Sequence, residues 1–292
     1  MAGRIIAGAV GLKGLVFVAT LLSRGIRLDE IVTYRQDDDR AQGFDRLREI
    51  ARGASVSLTQ SRRPDVQERD LLFLVGWQFI LPAARGQAVV FHDSMLPRYR
   101  GFAPTVTALI KGDNEIGVTA LSPSDSVDEG PVFGQRSARV AYPIKIEAAL
   151  KLQACLMAEL AIDIIDRWRA GALSTAAQDP ARATYSLWRD EADYEIDWST
   201  SAAQIKRFVD AVGFPYAGAR TLVGDATILR VHDVTPLPDL QIELRDVGKV
   251  WKLDAGRAVV VCGSGLLRID RCTTEAGADY RFERLRVRLG GR

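Results

Sequence analysis

The sequence predicts an α/β protein, with a doubly wound, mostly parallel sheet followed by a smaller C-terminal β-barrel-like domain. Three observations carry the prediction. Strand-length apolar runs alternate with helix-length segments through the first half of the chain, as in βαβ architectures. One run, Leu71 to Gly76, is apolar throughout, as expected of a parallel strand buried on both faces. Past Gly218 the pattern becomes short alternating strands with glycine turns, the pattern of a small open barrel.

Arg4 to Val10 reads as a strand, Leu15 to Ser23 as a helix and Glu30 to Tyr34 as a second strand. Gly8, Gly11 and Gly14 lack the spacing of a dinucleotide-binding loop, so a tight strand-to-helix turn is the preferred reading. A helix over Phe44 to Arg52 and a strand near Ser55 to Leu58 continue the alternation. The apolar run from Ala88 stops at His92, where a loop punctuated by Pro97 and Gly101 begins. Pro104 suits the first turn of a helix reaching about Ile110. Ile116 to Leu121 is the next strand, and Pro131 to Val140 returns antiparallel. Ile144 to Trp168 forms a long helix with Ala148, Leu152, Cys155, Leu156 and Leu160 on its apolar side, which places Cys155 in the core. Gly, Ser, Asp and Pro accumulate at Ala170 to Ala183, which therefore reads as a linker. The expected domains are 1–169, a linker over 170–190, and 191–292. In the last, Ser199 is the expected N-cap of a helix through Ala211. Strands follow at Arg220 to Val223, Thr227 to Asp233, Gly248 to Leu253, Ala258 to Val261 and Leu266 to Arg271.

A net charge of +2 with both signs interspersed gives no strong pull toward nucleic acid. Cys155, Cys262 and Cys272 are an odd number without Cys-x-x-Cys spacing, and no histidine cluster lies near them. Neither a disulfide framework nor a metal site is expected, and a reducing cytoplasm fits. The apolar run after Arg4 resembles a signal peptide, but Lys13 interrupts it and no small-residue cleavage site follows Leu22. No other segment approaches the roughly 20 apolar residues of a membrane span, so no membrane partner is expected.

The chemistry concentrates at the end of the strand that finishes at His92, where open α/β sheets place ligands. Histidine is the side chain best suited to moving a proton near neutral pH, and a carboxylate from a second loop is the usual partner that orients it. Asp128, in the run Asp125-Ser126-Val127-Asp128-Glu129-Gly130, is the candidate.

The stretch His92-Asp93-Ser94-Met95-Leu96-Pro97-Arg98-Tyr99-Arg100-Gly101, then Gly117-Val118-Thr119, then Asp128-Glu129-Gly130, carries a resemblance. In order and spacing it is similar to the enzymes that transfer the formyl group of 10-formyltetrahydrofolate to an amine. Their signature is Asn-x-His-Pro-Ser-Leu-Leu-Pro-x-Tyr-Arg-Gly, a Gly-Val-Thr strand and an Asp-x-Gly loop. Trp77-Gln78-Phe79-Ile80-Leu81-Pro82 also resembles the family's folate-wall segment. The resemblance implies His92 as base and proton shuttle and Asp128 as its orienter. It implies 10-formyltetrahydrofolate as formyl donor, with Trp77, Phe79, Ile80, Leu81, Met95, Leu96, Val118, Asp125 and Val127 around it and no metal. One departure matters. Strand residues two apart share a face, so the family's Asn projects beside its His, and here that position is Val90. Losing one oxyanion donor costs roughly 3 to 4 kcal/mol of transition-state stabilisation in other enzymes. A folate-binding pseudoenzyme is the alternative, against which stands the retention of both proton-handling residues.

Asp93 replaces the family's proline and either tunes His92, bonds the substrate or caps the loop. Ser94 lies with it on the expected substrate side, and Arg98, Tyr99 and Arg100 either grip an anionic group or are solvated. Methionyl-tRNA formyltransferase shares the two-domain plan, yet acidic and basic residues nearly balance in the second domain. The segment Ala183 to Asp190 and the turn Val212 to Tyr216 look more like the subgroup that formylates amino sugars carried on nucleotides. Tyr185 and Trp188 then stack a base or sugar, or alternatively pack the linker, and Arg189 faces phosphate. Within that subgroup the His-Asp-Ser variant is similar to the enzyme of pseudaminic-acid-type pathways, acting on a nucleotide-linked 4-amino-4,6-dideoxy sugar. The expected partner is a nucleotide-linked amino sugar, with no nucleic acid and with room for a homodimer. Methionyl-tRNA and another small amine remain alternatives. His232, beside Asp233, reads as structural.

Overall fold

The computed structural model describes residues 3–79, 86–224 and 227–290. The chain forms two compact units: residues 1–105, 114–140 and 148–188, and residues 106–113, 141–147 and 189–292.

In the first unit β1 (Ile5–Ala9), α1 (Gly11–Ser23), β2 (Glu30–Thr33), α2 (Gly43–Ala54), β3 (Ser57–Gln60), β4 (Leu71–Val75) and β5 (Gln87–His92) alternate as the apolar pattern predicts. After β5 come a two-residue strand, β6 (Arg100–Gly101), then α3 (Pro104–Lys111), most of which falls in the second unit, β7 (Glu115–Leu121), β8 (Val132–Arg139), α4 (Ile146–Arg169) and a second short strand, β9 (Tyr185–Ser186). Seven strands make one sheet in the order β3-β2-β1-β4-β5-β7-β8. Neighbours run parallel from β3 through β5; β7 then pairs antiparallel with β5, and β8 with β7. The sheet is thus mostly parallel, as expected, with an antiparallel hairpin on one edge.

Alternation along the strands decides which residues face which layer. Val89 and Phe91 of β5, with Val118 and Ala120 of β7, join the main core, where α1, α2 and α4 supply Phe17, Leu47 and Met157. The rings of Phe17, Phe73 and Phe91 lie within 6.1 Å of one another at its centre. Ala88 and Val90 point the other way, into a smaller cluster with Ile6, Leu72, Leu74, Val66 and Trp77. His92, two residues beyond Val90, shares that second face. The glycines after β1 make a tight turn: a Cβ on Gly14 would stand 2.7 Å from the carbonyl carbon of Ala9.

The second unit contains α5 (Ala202–Ala211) and five antiparallel strands, β10 (Ala219–Val223), β11 (Thr227–Leu237), β12 (Val250–Asp254), β13 (Arg257–Val261) and β14 (Leu266–Thr274), ordered β10-β11-β14-β13-β12. Leu289 bridges Val223 of one edge strand, and Arg288 bridges Lys249 beside the other. The C-terminal segment thereby ties the sheet's two edges together, which gives it its barrel-like character. The cap of α5 is Ser201, with Gln204 completing a reciprocal capping box. Ser199, the expected cap, is instead bonded to Asp197. A register shift between Val231 and Asp233 bends β11, and His232 at the bulge contacts Thr273 Oγ1 through Nε2 at 3.0 Å. Cys262 and Cys272 are buried; Cys155, expected in the core, is half-buried. No helix among the described residues is long and apolar enough to cross a membrane.

Candidate active site

His92 is the last residue of β5 and is 7% exposed. Its Nδ1 lies 3.4 Å from Asp128 Oδ1, within ion-pair reach though longer than a good hydrogen bond, and its Nε2 lies 2.8 Å from the carbonyl oxygen of Tyr99. Two loops far apart in sequence therefore converge on one ring. Asp128 sits in the left-handed region at φ 57°, and its Oδ2 accepts the backbone N–H of Gly101 at 2.8 Å. The Tyr99 carbonyl can only accept, so Nε2 is the donor there, and Nδ1, on the Asp128 side, is the nitrogen left to take up and return a proton.

A buried polar network fixes the loop after His92. Gln153, fully buried on α4, donates through Nε2 to the carbonyls of Asp93 at 3.0 Å and Gly117 at 2.9 Å, while its Oε1 accepts from Thr105 Oγ1. Thr119 Oγ1 donates to the Ser94 carbonyl and accepts from the Leu96 N–H and from Gln135 Nε2. The segment expected to be a linker completes the frame. Thr184 bonds Tyr99, Pro97 and Arg100, and Gln178 Nε2 donates to the carbonyls of Asp128 and Gly130. Residues 170–188 belong to the first unit. Gln153 had a faint signal, a polar residue amid an apolar helix face; Gln178 and Thr184 had none in a stretch that composition marks as loop.

The structure places the other expected site residues variously. Asp93 forms an ion pair with Lys13 at the start of α1, both side chains largely buried. Ser94 is buried, its hydroxyl spent on the Arg98 carbonyl, so it closes the turn rather than facing a substrate. Arg100 is also committed: 4% exposed, it pairs with Glu129 at 2.9 Å and with Gln178 Oε1. It cannot grip a ligand without releasing the Asp128 loop. Tyr99 is buried at φ 60°, with the exposed Arg98 stacked on its ring at 4.5 Å. Val118 is fully buried in the main core, on the opposite face from His92, which removes it from any folate wall. Leu96 is buried and Met95 packs over Gly117. Asp125 and Val127 are exposed on the loop that delivers Asp128, and Tyr185 and Trp188 are exposed at 66% and 62%. Arg189 falls in the second unit.

A wall of edge-on aromatic rings stands beyond β4. Tyr34 meets Trp77 and Phe79 edge-on at 5.2 and 5.1 Å, and Arg62 lies over the Tyr34 and Phe79 rings. Burial pushes the Tyr34 phenol above its ordinary value, opposed by the Gln78 backbone and the Arg62 charge. The indole Nε1 of Trp77 is buried with no partner among the described residues. Ile80 and Leu81 lie outside the described residues. A planar heterocycle with acceptor atoms fits such a wall, and an unpartnered buried donor is the kind of group a ligand satisfies. Among the described residues no group of three His, Cys, Asp or Glu is placed to hold a metal.

Comparison with known proteins bears on this geometry. Residues 59–149 match the formyl transferase family and residues 189–285 its formyl transferase C-terminal domain. A methionyl-tRNA formyltransferase of Geobacter metallireducens is 31% identical over 212 residues, a match covering 70% of this chain and 66% of that protein's own length. An N-formyltransferase of Helicobacter canadensis, crystallised with folinic acid and dTDP-3-aminofucose, shares the fold at 13% identity and TM-score 0.66, over 96% of this chain and all of its own. HypX of Aquifex aeolicus shares it at 16% identity and TM-score 0.66, over 94% of this chain but only 45% of its own. The two domain matches, in this order along the chain, show that the chain belongs to the formyl transferase family of N-formyltransferases.

Proposed function

We propose that this chain transfers the formyl group of 10-formyltetrahydrofolate to the amine of a nucleotide-linked amino sugar. The transfer chemistry resides in the first domain and the barrel-like domain accompanies it. The observation that carries the reading is the convergence of His92 and Asp128 at the end of β5, beside an aromatic wall suited to a pterin. When bound, the donor supplies an activated formyl carbonyl. Trp77 and Phe79 hold its ring, the Trp77 indole N–H offering a hydrogen bond. His92 accepts the proton that the acceptor amine sheds as it attacks, and passes it toward the leaving nitrogen. Asp128 keeps the ring oriented and balances its charge while it carries that proton. Val90 offers no donor, and Lys13 pairs with Asp93, the residue that follows His92 in the chain.

The sugar acceptor is supported by the full-length likeness to the Helicobacter canadensis enzyme with its dTDP-3-aminofucose, and by the exposed Tyr185 and Trp188 as stacking surfaces. Methionyl-tRNA is the second reading. It is favoured by the Geobacter relative and by Arg281, Arg284, Arg286 and Arg288, which crowd one short stretch of the second domain with Glu283 the only acid among them. The deciding assay supplies 10-formyltetrahydrofolate with UDP- or dTDP-linked amino sugars and, separately, with charged initiator tRNA, following tetrahydrofolate release and product mass. Turnover with an amino sugar and none with tRNA is expected. Turnover with tRNA alone, lost steeply as salt rises, would move the protein to the second reading.

A further inference from the structure

We propose that Gln178 is a positioning residue that holds Asp128 in the conformation aimed at His92, an inference that rests on the formyl-transfer reading above. The need for it lies in the backbone. Asp128 is a non-glycine residue at φ 57°, a conformation that persists only where its surroundings hold it. The Asp125–Gly130 loop is largely exposed, so its own packing does not supply that restraint. Gln178 does. The two hydrogens of its Nε2 go to the carbonyls of Asp128 and Gly130, at 2.7 and 2.8 Å, which pins the strained residue and the chain that leaves it. Its Oε1 is in turn fixed by the Arg100 guanidinium, 2.9 Å from Nη2 and 3.3 Å from Nε. Arg100 completes the clamp by pairing with Glu129, the residue between the two bonded carbonyls.

The same clamp reaches the other half of the pair. Thr184, six residues on, accepts the Tyr99 N–H on its hydroxyl, and the Tyr99 carbonyl is the acceptor for His92 Nε2. One stretch of chain thus fixes both the loop that carries Asp128 and the backbone oxygen that steadies His92. An amide at position 178 is chemically specific. It must donate twice to carbonyls and accept from a guanidinium, which neither a carboxylate nor a hydrocarbon side chain does.

The test is a double-mutant cycle in the full chain between Gln178→Leu and Asp128→Asn, read as tetrahydrofolate release from 10-formyltetrahydrofolate. Gln178→Leu is expected to lower kcat tenfold or more with a smaller change in KM for the folate, because Trp77 and Phe79, the rings expected to hold it, lie outside the loop that Gln178 holds. Gln178→Glu, which keeps a partner for Arg100 but loses both donors to the loop, is expected to lose kcat similarly. The double variant is expected to be no slower than Asp128→Asn alone, since Gln178 acts only through Asp128. Multiplying losses in the double variant, or wild-type kcat in Gln178→Glu, would overturn the inference. If wild-type protein releases no tetrahydrofolate with any acceptor, the formyl-transfer reading itself fails, a result distinct from active wild type with additive variants. Melting curves on the wild type and all four variants separate a folding defect from a positioning one.

Discussion

At the scale of single residues, His92 and Asp128 act on the proton in flight rather than on binding, so removing either should show in kcat. His92→Asn and Asp128→Asn are each expected to lower turnover by at least a hundredfold, with far smaller changes in KM for the folate. Steady-state kinetics over a range of folate concentrations check this, and near wild-type turnover in either variant would remove that residue from the mechanism. Val90 presents the opposite case, an apolar side chain on the face that holds the base. It is half-buried against Ile6, Leu72 and Leu74, so an amide there lacks an obvious partner on its inner side. Val90→Asn is expected to cost about 1 to 2 kcal/mol of stability while turnover stays within tenfold of wild type. A rate gain without a stability loss would show that the amide reaches the site.

At the scale of elements, the pairing of β6 with β9 does more than its two residues suggest. Arg100 and Gly101 lie beside Tyr185 and Ser186, and Gly101 donates its N–H to Asp128. Gly101 has φ +100°, open essentially to glycine, and a Cβ there would stand 2.5 Å from the Ser186 carbonyl oxygen. Gly101→Ala is therefore expected to destabilise the first unit by about 2 to 3 kcal/mol and to lower turnover at least tenfold. Chemical denaturation paired with kinetics tests both parts, and a stable variant with full activity would show that the short ribbon is dispensable. Arg100 illustrates the same element-level logic. Its guanidinium has the right chemistry for a phosphate, but the strand pairing buries it and Glu129 with Gln178 claim it first.

At the scale of the whole molecule, the chain's start is fastened to its sheet through Asp70, whose carboxylate accepts from the Arg4 backbone and guanidinium and from the Gln67 N–H. Burial alone would lift this carboxyl, but the Arg4 guanidinium with the Gln67 and Arg4 backbone groups outweighs it and holds Asp70 below its ordinary value. A depressed folded-state value stabilises the fold above the unfolded carboxyl's titration near pH 4, and the benefit disappears as pH falls through the folded value. Asp70→Asn is expected to lose about 2 kcal/mol between pH 5 and 8, a modest figure because the Arg4 side chain is 39% exposed. The gap to wild type should narrow progressively below about pH 4. A gap that stays constant into acid, measured by urea unfolding at each pH, would show that charge is not its source.

The sequence by itself determined most of the first sheet, because the full apolar run of β4 and the strand that stops at His92 follow from side-chain period and length alone. It also marked His92 and Asp128, since their motif records a local order that chemistry requires. Other features depended on tertiary structure. The linker expected over 170–190 is not one, since Gln178 and Thr184 are bonded into the frame of the site, where backbone carbonyls and an N–H far away in sequence needed partners. Val118 carries the same motif as its neighbours but faces the main core, a matter of strand alternation that the motif's spacing does not reveal. The cap of α5 is a local matter, since Gln204, three residues after Ser201, completes the reciprocal bonds that the expected cap Ser199 does not make. Local pattern governs which elements form; which polar side chains are left to face a ligand is decided by the partners that packing brings to them first.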